Sequence, residues 1–540
     1  MKGKRFIGKE KAVSSWIIQT MEYDVDLARL LEPRLLETGA PYVLSSARGG
    51  VGVRMEGRPG LLALSKTLAG VLIHDLAPFE VATMADETPL PIEDRRQVLH
   101  RAVNAARQRE DLSETVQLLM EYLTRDFAAI FNDKRMIAEF RASNFFSIRS
   151  EQMVSFVATP DKFMNEEYCN KVTDGVSLLK IGIIYGANAS GKSNVLKALS
   201  FFKQLMQRVP QDRNEPMKLV PFLLDKQSRN EHSRMGMDFY LDGVRYVLNI
   251  EFDNVRIYEE TLMVYTTNRP TNLYRRVYNK EKDATEITFS GKAKLSQKSQ
   301  TIIEGNTVNN CSVIAAFGKS NVEASQLNAV YDFFSKHCSD QLTPDVSLSD
   351  FTRNYLENDH DGSLRRFLVF MLKASDFNID SVELRKIGAT PELLFRHKTD
   401  NGIFDLPESY ESRGTMRFMG MTTILKQLLF DSHFIAIDEL ETSIHYELLS
   451  YLIKVFIANS DNTSQLLFTT HDINLLNEDF VRRDTVWFTD KNSEGETHIE
   501  RLSSMGLHKN LSPYNAYKQG KLVDLPFLGS QYLDLKELEG

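Results

Sequence analysis

Cysteine is scarce in this sequence, which has only three in 540 residues. Cys169, Cys311 and Cys338 form no CxxC pair and no Cys/His ligand spacing. An odd and widely spaced set argues against both a disulfide framework and a structural zinc site. We therefore expect neither redox nor metal-thiolate chemistry.

Long apolar runs are absent as well. No stretch approaches the roughly 18 consecutive apolar residues of a membrane helix, and residues 1–16 lack the apolar core of a signal peptide. We expect a cytoplasmic protein without a membrane partner. An excess of basic residues is also absent, because the formal net charge is −8. This excludes a chain that is basic overall but leaves open a local basic groove for DNA.

The overall amino-acid composition is typical of a globular protein. Apolar residues make up 42% of the chain, charged residues 26% and aromatic residues 10%. A chain of this length and composition can bury a large core and is expected to form about two to four domains.

A change in composition near Met136 predicts a domain boundary. Residues 1–135 carry 19 basic and 19 acidic residues, so the whole net charge of −8 belongs to residues 136–540. The first segment has 13 Arg, 6 Lys and 2 Asn, against 21 Arg, 25 Lys and 28 Asn in the rest. We predict separate domains over 1–135 and 136–540. The role of the first is unknown, and the break in composition allows it to be a fused segment.

The first domain is predicted to be mostly helical, since apolar residues recur at three-to-four spacing over residues 27–35 and 98–123. A hairpin is predicted between these helices, because residues 42–44 and 51–55 are apolar and flank a turn-like string at 47–50. The glycines of this string also suggest a nucleotide loop, but a full GxGxxG is missing. We favour the hairpin.

Residues 178–185 form an apolar run that leads into the octet GANASGKS at residues 186–193. This GxxxxGKS pattern lets backbone N–H groups curl around phosphates, while Lys192 reaches the β and γ oxygens and the Ser193 hydroxyl ligates Mg2+. An amphipathic helix follows, so its N-terminus points at the anion. The predicted nucleotide-binding residues are Gly186, Asn188, Ser190, Gly191, Lys192, Ser193 and Asn194.

The second half of such a site is predicted at residues 434–439, where the apolar string FIAI precedes Asp438 and Glu439. Asp438 is expected to hold Mg2+ through its water shell, and Glu439 to polarise the attacking water. An apolar tetrad before two acids is common in protein cores, so the neighbouring segments decide the interpretation.

Three neighbouring segments support it by their order. Residues 411–417, ESRGTMR, precede a helical stretch at 421–430, and residues 441–445, ETSIH, open an amphipathic helix. An apolar strand beginning at residue 465 then ends at His471. Alone, each of these segments is typical of an ordinary turn or cap. Their order together resembles that of the parts of ABC-type ATPase heads.

On these motifs the chain resembles ABC-type ATPases, and more closely the OLD-related AAA-type ATPases of bacterial anti-phage defence, which share this head with SMC and RecF proteins. The family also has the opening strand seen at 136–145 and a tail like residues 515–521. The resemblance covers most of 136–540. It implies an α/β fold with a mixed sheet and a helical insertion at about 210–410, which lacks the sustained heptads of an SMC coiled coil.

The resemblance also implies a site shared by two subunits. Ser412 and Gly414 of one protomer would meet the nucleotide of its partner across a homodimer, with His471 sensing the γ-phosphate and Ser443 and His445 at the dimer seam. ATP would hold this dimer closed, and hydrolysis would release it. ATP and Mg2+ are the implied cofactors.

Two questions of role remain open at this point. The glutamine that links Mg2+ to the moving lobe in transporters has no clear counterpart, and Gln227 is a weak candidate. Only 69 residues follow His471, too few for the TOPRIM nuclease domain of OLD proteins. We therefore expect an ATPase switch that controls a separately encoded effector, such as a nuclease or toxin, in anti-phage defence.

Two alternatives belong to other function classes. One is a RecF- or SMC-like DNA-repair or DNA-binding ATPase, which the acidity of 136–540 mildly disfavours. The other is a scaffold that nucleotide merely stabilises. An intact Glu439 disfavours the scaffold, because pure binding needs no water-polarising carboxylate.

Overall fold

The computed structural model of the protein describes residues 44–47, 50–53, 135–173, 175–266, 269–343, 348–359, 362–387, 390–459, 463–508 and 511–523. The chain divides into two compact units, Met1–Asp133 and Lys134–Gly540.

In the first unit, strands β1 (Leu44–Ala47) and β2 (Gly50–Val53) pair in antiparallel fashion. Ala47 lies opposite Gly50, so two residues connect the strands. The predicted hairpin is confirmed, and Gly50 and Gly52 lie in β2. The helices predicted for residues 1–135 lie outside the described residues.

The described strands of the second unit form four sheets, two of which position the candidate site. In chain order they are β3 (Met136–Ser143), β4 (Gln152–Ser155), β5 (Cys169–Thr173), β6 (Val176–Leu179), β7 (Ile181–Gly186), β8 (Ser233–Leu241), β9 (Val244–Phe252), β10 (Ile257–Tyr265), β11 (Thr271–Asn279), β12 (Ala284–Phe289), β13 (Ile379–Ile387), β14 (Thr390–Thr399), β15 (Gly402–Pro407), β16 (Phe434–Ile437), β17 (Gln465–Thr469), β18 (Val486–Lys491) and β19 (Thr497–Arg501).

Helices lie between and around these sheets. They are α1 (Asn165–Tyr168), α2 (Lys192–Leu205), α3 (Gln297–Asn306), α4 (Val313–Gly318), α5 (Ser325–Asp332), α6 (Leu348–Glu357), α7 (Ser363–Ala374), α8 (Arg413–Phe430), α9 (Tyr446–Asn459) and α10 (Pro513–Lys518). None of the described helices combines the length and the apolar character that crossing a lipid bilayer requires.

The central sheet has the strand order β16-β17-β7-β18-β19. Its first four strands are parallel, and β19 runs antiparallel to β18. Strands β7, β16 and β17 are buried along their whole length, as expected for parallel strands covered on both faces. Because parallel strands end at one edge of a sheet, the residues that follow these three strands come close together there.

An antiparallel sheet with the order β12-β11-β10-β9-β8-β3-β4 packs against this core. Strands β8 to β12 come from the stretch predicted as an insertion, yet β8 pairs with β3, the strand that opens the unit. The buried Gln465 side chain joins the two sheets. Its amide accepts a hydrogen bond from Ile137 N at 2.7 Å and donates to the carbonyls of Ile137 and Leu179 at 2.9 and 3.0 Å.

Most of the elements predicted from periodicity are confirmed, with shifted boundaries. The apolar run 178–185 is divided into β6 and β7 at Lys180. The helix predicted at 421–430 begins eight residues earlier, at Arg413, because the Ser412 side chain caps it. After α5 the chain continues in a π-helical turn, Phe333–His337.

Candidate functional site

The loop between β7 and α2 turns tightly at the amino end of α2. Gly191 precedes this helix with a φ of +106°, a conformation that L side chains rarely adopt. A β-carbon at Gly191 would overlap the Thr497 hydroxyl, and one at Gly186 would overlap Thr489. Both glycines of the predicted motif are therefore required by the packing of the chain itself.

A network of hydroxyl groups holds this loop from outside. The Ser190 hydroxyl is 2.7 Å from that of Thr489, and the Thr497 hydroxyl donates to the Ser190 carbonyl at 2.9 Å. Thr497 also lies 2.8 Å from the Ser147 hydroxyl, which accepts from the Asn194 amide at 2.7 Å. Thr489, Thr497 and Ser147 were missed by sequence reasoning, because they are small polar residues remote in sequence and carry no motif.

Lys192 is buried at the start of α2. Its ammonium donates to the carbonyls of Gly186 at 2.9 Å and Ala187 at 3.0 Å. Burial lowers the pKa of Lys192, and the negative charges of Asp438 and Glu439 oppose that shift. The lysine therefore sits inside the loop with acidic groups facing it, whereas Asn188 at the loop tip is exposed.

The two acids that follow β16 have different environments. Asp438 is buried, and one of its oxygens accepts a hydrogen bond from the Thr469 hydroxyl at 2.6 Å. Glu439 has a positive φ of 48°, and its N–H donates to the same hydroxyl at 2.8 Å. The Glu439 side chain is 43% exposed, so water reaches it. One carboxylate is thus fixed and the other is open to solvent.

His471, just beyond β17, lies between the lysine and the exposed acid. Its Nδ1 is 3.5 Å from Lys192 Nζ, and its Nε2 is 4.0 Å from a Glu439 oxygen. Its backbone N–H donates to Glu441 at 2.6 Å. Burial, and then the positive charge of Lys192, lower the pKa of His471, which favours the neutral imidazole.

The sequence leaves the glutamine role unassigned, with Gln227 as a weak candidate. This side chain is exposed and donates to Glu231 at 2.7 Å, in its own segment of the chain. Gln341 lies at the site instead, with its amide 3.4 Å from the second Asp438 oxygen. The sequence had no signal for it, because its place depends on a short parallel pairing in which Leu342 N donates to Ala436 O at 2.9 Å, alongside β16.

The ESRGTMR segment forms the start of α8. The Ser412 hydroxyl accepts from Thr415 N at 3.0 Å, so the structure shows it as a helix cap. A β-carbon at Gly414 would have only ordinary contacts, 3.6 Å to the Ser412 hydroxyl and 3.7 Å to the Ser443 carbonyl. Unlike Gly186 and Gly191, Gly414 is therefore not required by the packing of its own chain. Ser412, Ser443 and His445 are exposed.

A cavity of about 190 Å³ opens beside the first turn of α2. Its walls are mostly apolar and include one lysine. It is lined by Phe146, Ser147, Asn194, Val220, Pro221, Phe222, Leu223, Leu224, Lys491 and Gly495.

This sheet, its phosphate-type loop and the acids at the same strand edge define the fold as an ABC-type ATPase head. The family model described as "AAA domain, putative AbiEii toxin, Type IV TA system" matches residues 182–477, more than half of the chain. The chain belongs to this family.

Solved structures with a similar fold include the SMC head domain from Thermotoga maritima, at 13% identity and a TM-score of 0.33, over 68% of this chain and 98% of that one. Another is the Smc head domain with an extended coiled coil bound to the C-terminal domain of ScpA, derived from Pyrococcus furiosus. It is 11% identical, with a TM-score of 0.35, over 75% of this chain and all of that one. The sequence matches no curated protein.

Gly191→Ala is expected to destabilise the protein by about 2–3 kcal/mol, because it combines a strained φ with an overlap on Thr497. Gly506→Ala is the matched control. Gly506 has a φ of +68° but no atom within 4 Å of a β-carbon, so only about 1 kcal/mol of strain is expected. Denaturant unfolding measures both losses, and equal losses would contradict the packing argument at Gly191.

Proposed function

We propose that the chain binds ATP with Mg2+ and hydrolyses it. The observation that carries this proposal is the position of Lys192. Its ammonium is bonded to two loop carbonyls, lies 3.5 Å from His471 Nδ1, and is under the negative charge of the acids that follow β16. A buried cation in a loop of backbone N–H groups at a helix N-terminus is a site for phosphate oxygens. Bound phosphates would replace the loop carbonyls as partners of the ammonium.

The residues around the loop fit a magnesium ion. The Ser193 hydroxyl and the Asp438 carboxylate offer the oxygen ligands that Mg2+ prefers, and Thr469 and Gln341 hold the carboxylate in place. When bound, Mg2+ would neutralise charge on the β and γ phosphates. Gln341 takes the place for which the sequence offered only Gln227.

We assign the base and ribose to the cavity beside α2. It adjoins the phosphate loop through Asn194, and its apolar walls include Phe146 and Phe222. Flat apolar side chains suit the faces of a purine, and Lys491 adds a positive charge to the lining. The loop residues Gly186, Asn188, Ser190 and Gly191 would then surround the phosphates.

Hydrolysis requires a group that polarises the attacking water, and we assign that role to Glu439. Its positive φ and the hydrogen bond from its backbone to Thr469 direct a half-exposed carboxylate to the edge where β7 ends. His471, neutral beside Lys192, would donate a hydrogen bond to the γ-phosphate.

We further propose that the site is completed by a second copy of the chain. Gly414 has free space in its own chain, and Ser412, Ser443 and His445 are exposed. The packing of its own chain does not require a glycine at position 414, and the start of α8 is exposed. Both features suit contact with the phosphates of a partner protomer. ATP would then hold a homodimer closed, and its hydrolysis would open it.

The description of the family names a putative toxin and a type IV TA system, and this favours a role in bacterial defence. In this proposal the ATPase is the switch, and a separately encoded nuclease or toxin is the effector. The genes beside this one test the idea. An effector gene next to it in several genomes would support the defence role, whereas neighbouring genes for DNA-repair proteins would favour the RecF-like alternative.

The purified full chain is expected to release phosphate from ATP slowly, and only with Mg2+. Chelation of Mg2+ by EDTA should lower the rate at least about 100-fold, because the charge on the phosphates is then uncompensated. A phosphate-release assay with and without added Mg2+ measures this. A chain that neither binds nor hydrolyses ATP at millimolar concentration would contradict the proposal.

A further inference from the structure

Near the start of α8, side chains of opposite charge have buried atoms that lack hydrogen-bond partners within the described residues. Arg417 is 8% exposed, and neither its Nε nor its Nη2 has a partner among the described residues. The Oε2 atom of Glu441 is likewise buried and unbonded within the described part of the chain. Buried unpaired charges are unfavourable and rare, so each of the two needs an explanation.

The two groups belong to segments that touch each other. The β-carbon position of Gly414 lies 3.7 Å from the Ser443 carbonyl, so the first turn of α8 rests on the loop that holds Glu441. Arg417 follows Gly414 by three residues and lies on the same helix face. Burial lowers the pKa of Arg417, and the negative charge of Glu441 opposes that shift.

The other oxygen of Glu441 is already engaged at the candidate site. It accepts the backbone N–H of His471 at 2.6 Å. His471 in turn is 3.5 Å from the Lys192 ammonium and 4.0 Å from a Glu439 oxygen. Whatever fixes Glu441 therefore also fixes the residue between the lysine and the water-polarising acid.

We propose that Arg417 is a positioning residue for ATP hydrolysis: when the site closes on nucleotide, its guanidinium pairs with the free oxygen of Glu441 and fixes His471 beside Glu439. This inference rests on the proposed function. Arg417 Nε and Nη2 and Glu441 Oε2 are buried without hydrogen-bond partners among the described residues, and pairing of the guanidinium with that oxygen would remove this unfavourable arrangement. A movement of α8 toward the loop is thereby coupled to the geometry at the γ-phosphate.

Arg417→Met tests the proposal, since it removes the charge and keeps most of the length of the side chain. We expect kcat to fall at least about tenfold while the Kd for ATP changes less than about twofold, as for an interaction made only in the reacting state. Arg417→Lys should retain intermediate turnover. Lys426→Met is the matched control, because Lys426 lies on the same helix, faces the Phe430 ring at 5.6 Å, and should leave kcat unchanged.

A merely structural role predicts a different pattern. If Arg417 only supports the fold, Arg417→Met would lower the unfolding midpoint of the nucleotide-free chain and weaken ATP binding and turnover together. Our proposal expects an unfolding midpoint equal to or above that of the wild type, because an unpaired buried cation has been removed.

A double-mutant cycle identifies the partner. Glu441→Gln alone should lower kcat about as much as Arg417→Met, and the double variant should lose no more than the larger single loss. If the loss of kcat in the double variant equals the product of the two single losses, or if Arg417→Met keeps a wild-type kcat, the inference is overturned while the ATPase proposal stays intact. A wild-type chain without ATPase activity would overturn both.

Discussion

Lys192→Ala is expected to bind ATP at least about 100-fold more weakly than the wild type, a loss of about 2.7 kcal/mol. The substitution removes the only ammonium that bonds the loop carbonyls of Gly186 and Ala187 within the described residues. It also leaves the β and γ phosphates facing Asp438 and Glu439 without an opposing charge. Isothermal titration with a non-hydrolysable ATP analogue measures the loss.

Lys203→Ala is the matched control for this experiment. Lys203 is a second buried lysine of α2, three turns further along the same face, and its ammonium pairs with Asp340 at 2.8 Å. Its loss should lower stability but leave ATP affinity within about threefold. Unchanged affinity in a folded Lys192→Ala variant would mean that the β7–α2 loop is not the phosphate site.

Glu439→Gln is expected to bind ATP normally, to lose turnover at least about 100-fold, and to accumulate as a closed dimer. The amide keeps the size of the side chain but cannot polarise water, so the contacts made through ATP persist. Light scattering with and without ATP measures the dimer, and phosphate release measures turnover. An oligomeric state that does not respond to ATP would contradict the switch model.

Gly414→Asp should also lose turnover, but by failing to close. Its own chain has room for the side chain, so the variant is expected to fold. In a closed dimer the new carboxylate would instead be forced against the partner's γ-phosphate. The variant should therefore bind ATP and remain monomeric, whereas a closed, ATP-linked dimer of Gly414→Asp would show that this glycine does not face the nucleotide.

Mixing Gly414→Asp with Lys192→Ala separates a shared site from a site within one chain. Each mixed dimer has one site with an intact loop and an intact partner signature, so an equal mixture should recover about a quarter of wild-type turnover. Inactivity despite demonstrated subunit exchange would rule out the trans-acting signature.

The loop and the acids of this site could be predicted because each is a local pattern with a physical meaning. Lys192 follows an apolar strand directly, and Asp438 and Glu439 follow another. Parallel strands end at one edge, so sequence alone places these groups together. The assignment of roles to Ser412 and Gly414 remains a prediction, since it depends on a second subunit.

Other parts of the site depend on long-range packing and had no local signal. Gln341 reaches Asp438 only because its segment pairs alongside β16. The start of α8 was misplaced because Gly414 lies in its first turn, where glycine lowers helix propensity, and the cap from Ser412 outweighs that effect. No sequence pattern distinguishes Arg417 and Glu441 from other charged residues. Only the structure shows that atoms of both side chains are buried without hydrogen-bond partners among the described residues.

The hydroxyl groups of Thr489 and Thr497 that hold the β7–α2 loop, here called the hydroxyl clamp, affect the order in which the chain folds. Ser190 bonds Thr489, 299 residues later, and its carbonyl bonds Thr497, 307 residues later. During synthesis the loop therefore leaves the ribosome long before its supports exist. Contacts of such long sequence separation form late and slow the folding of a domain. A nascent chain that already contains both nucleotide motifs still lacks the clamp, and the loop takes its final form only when β18 and β19 have joined the sheet.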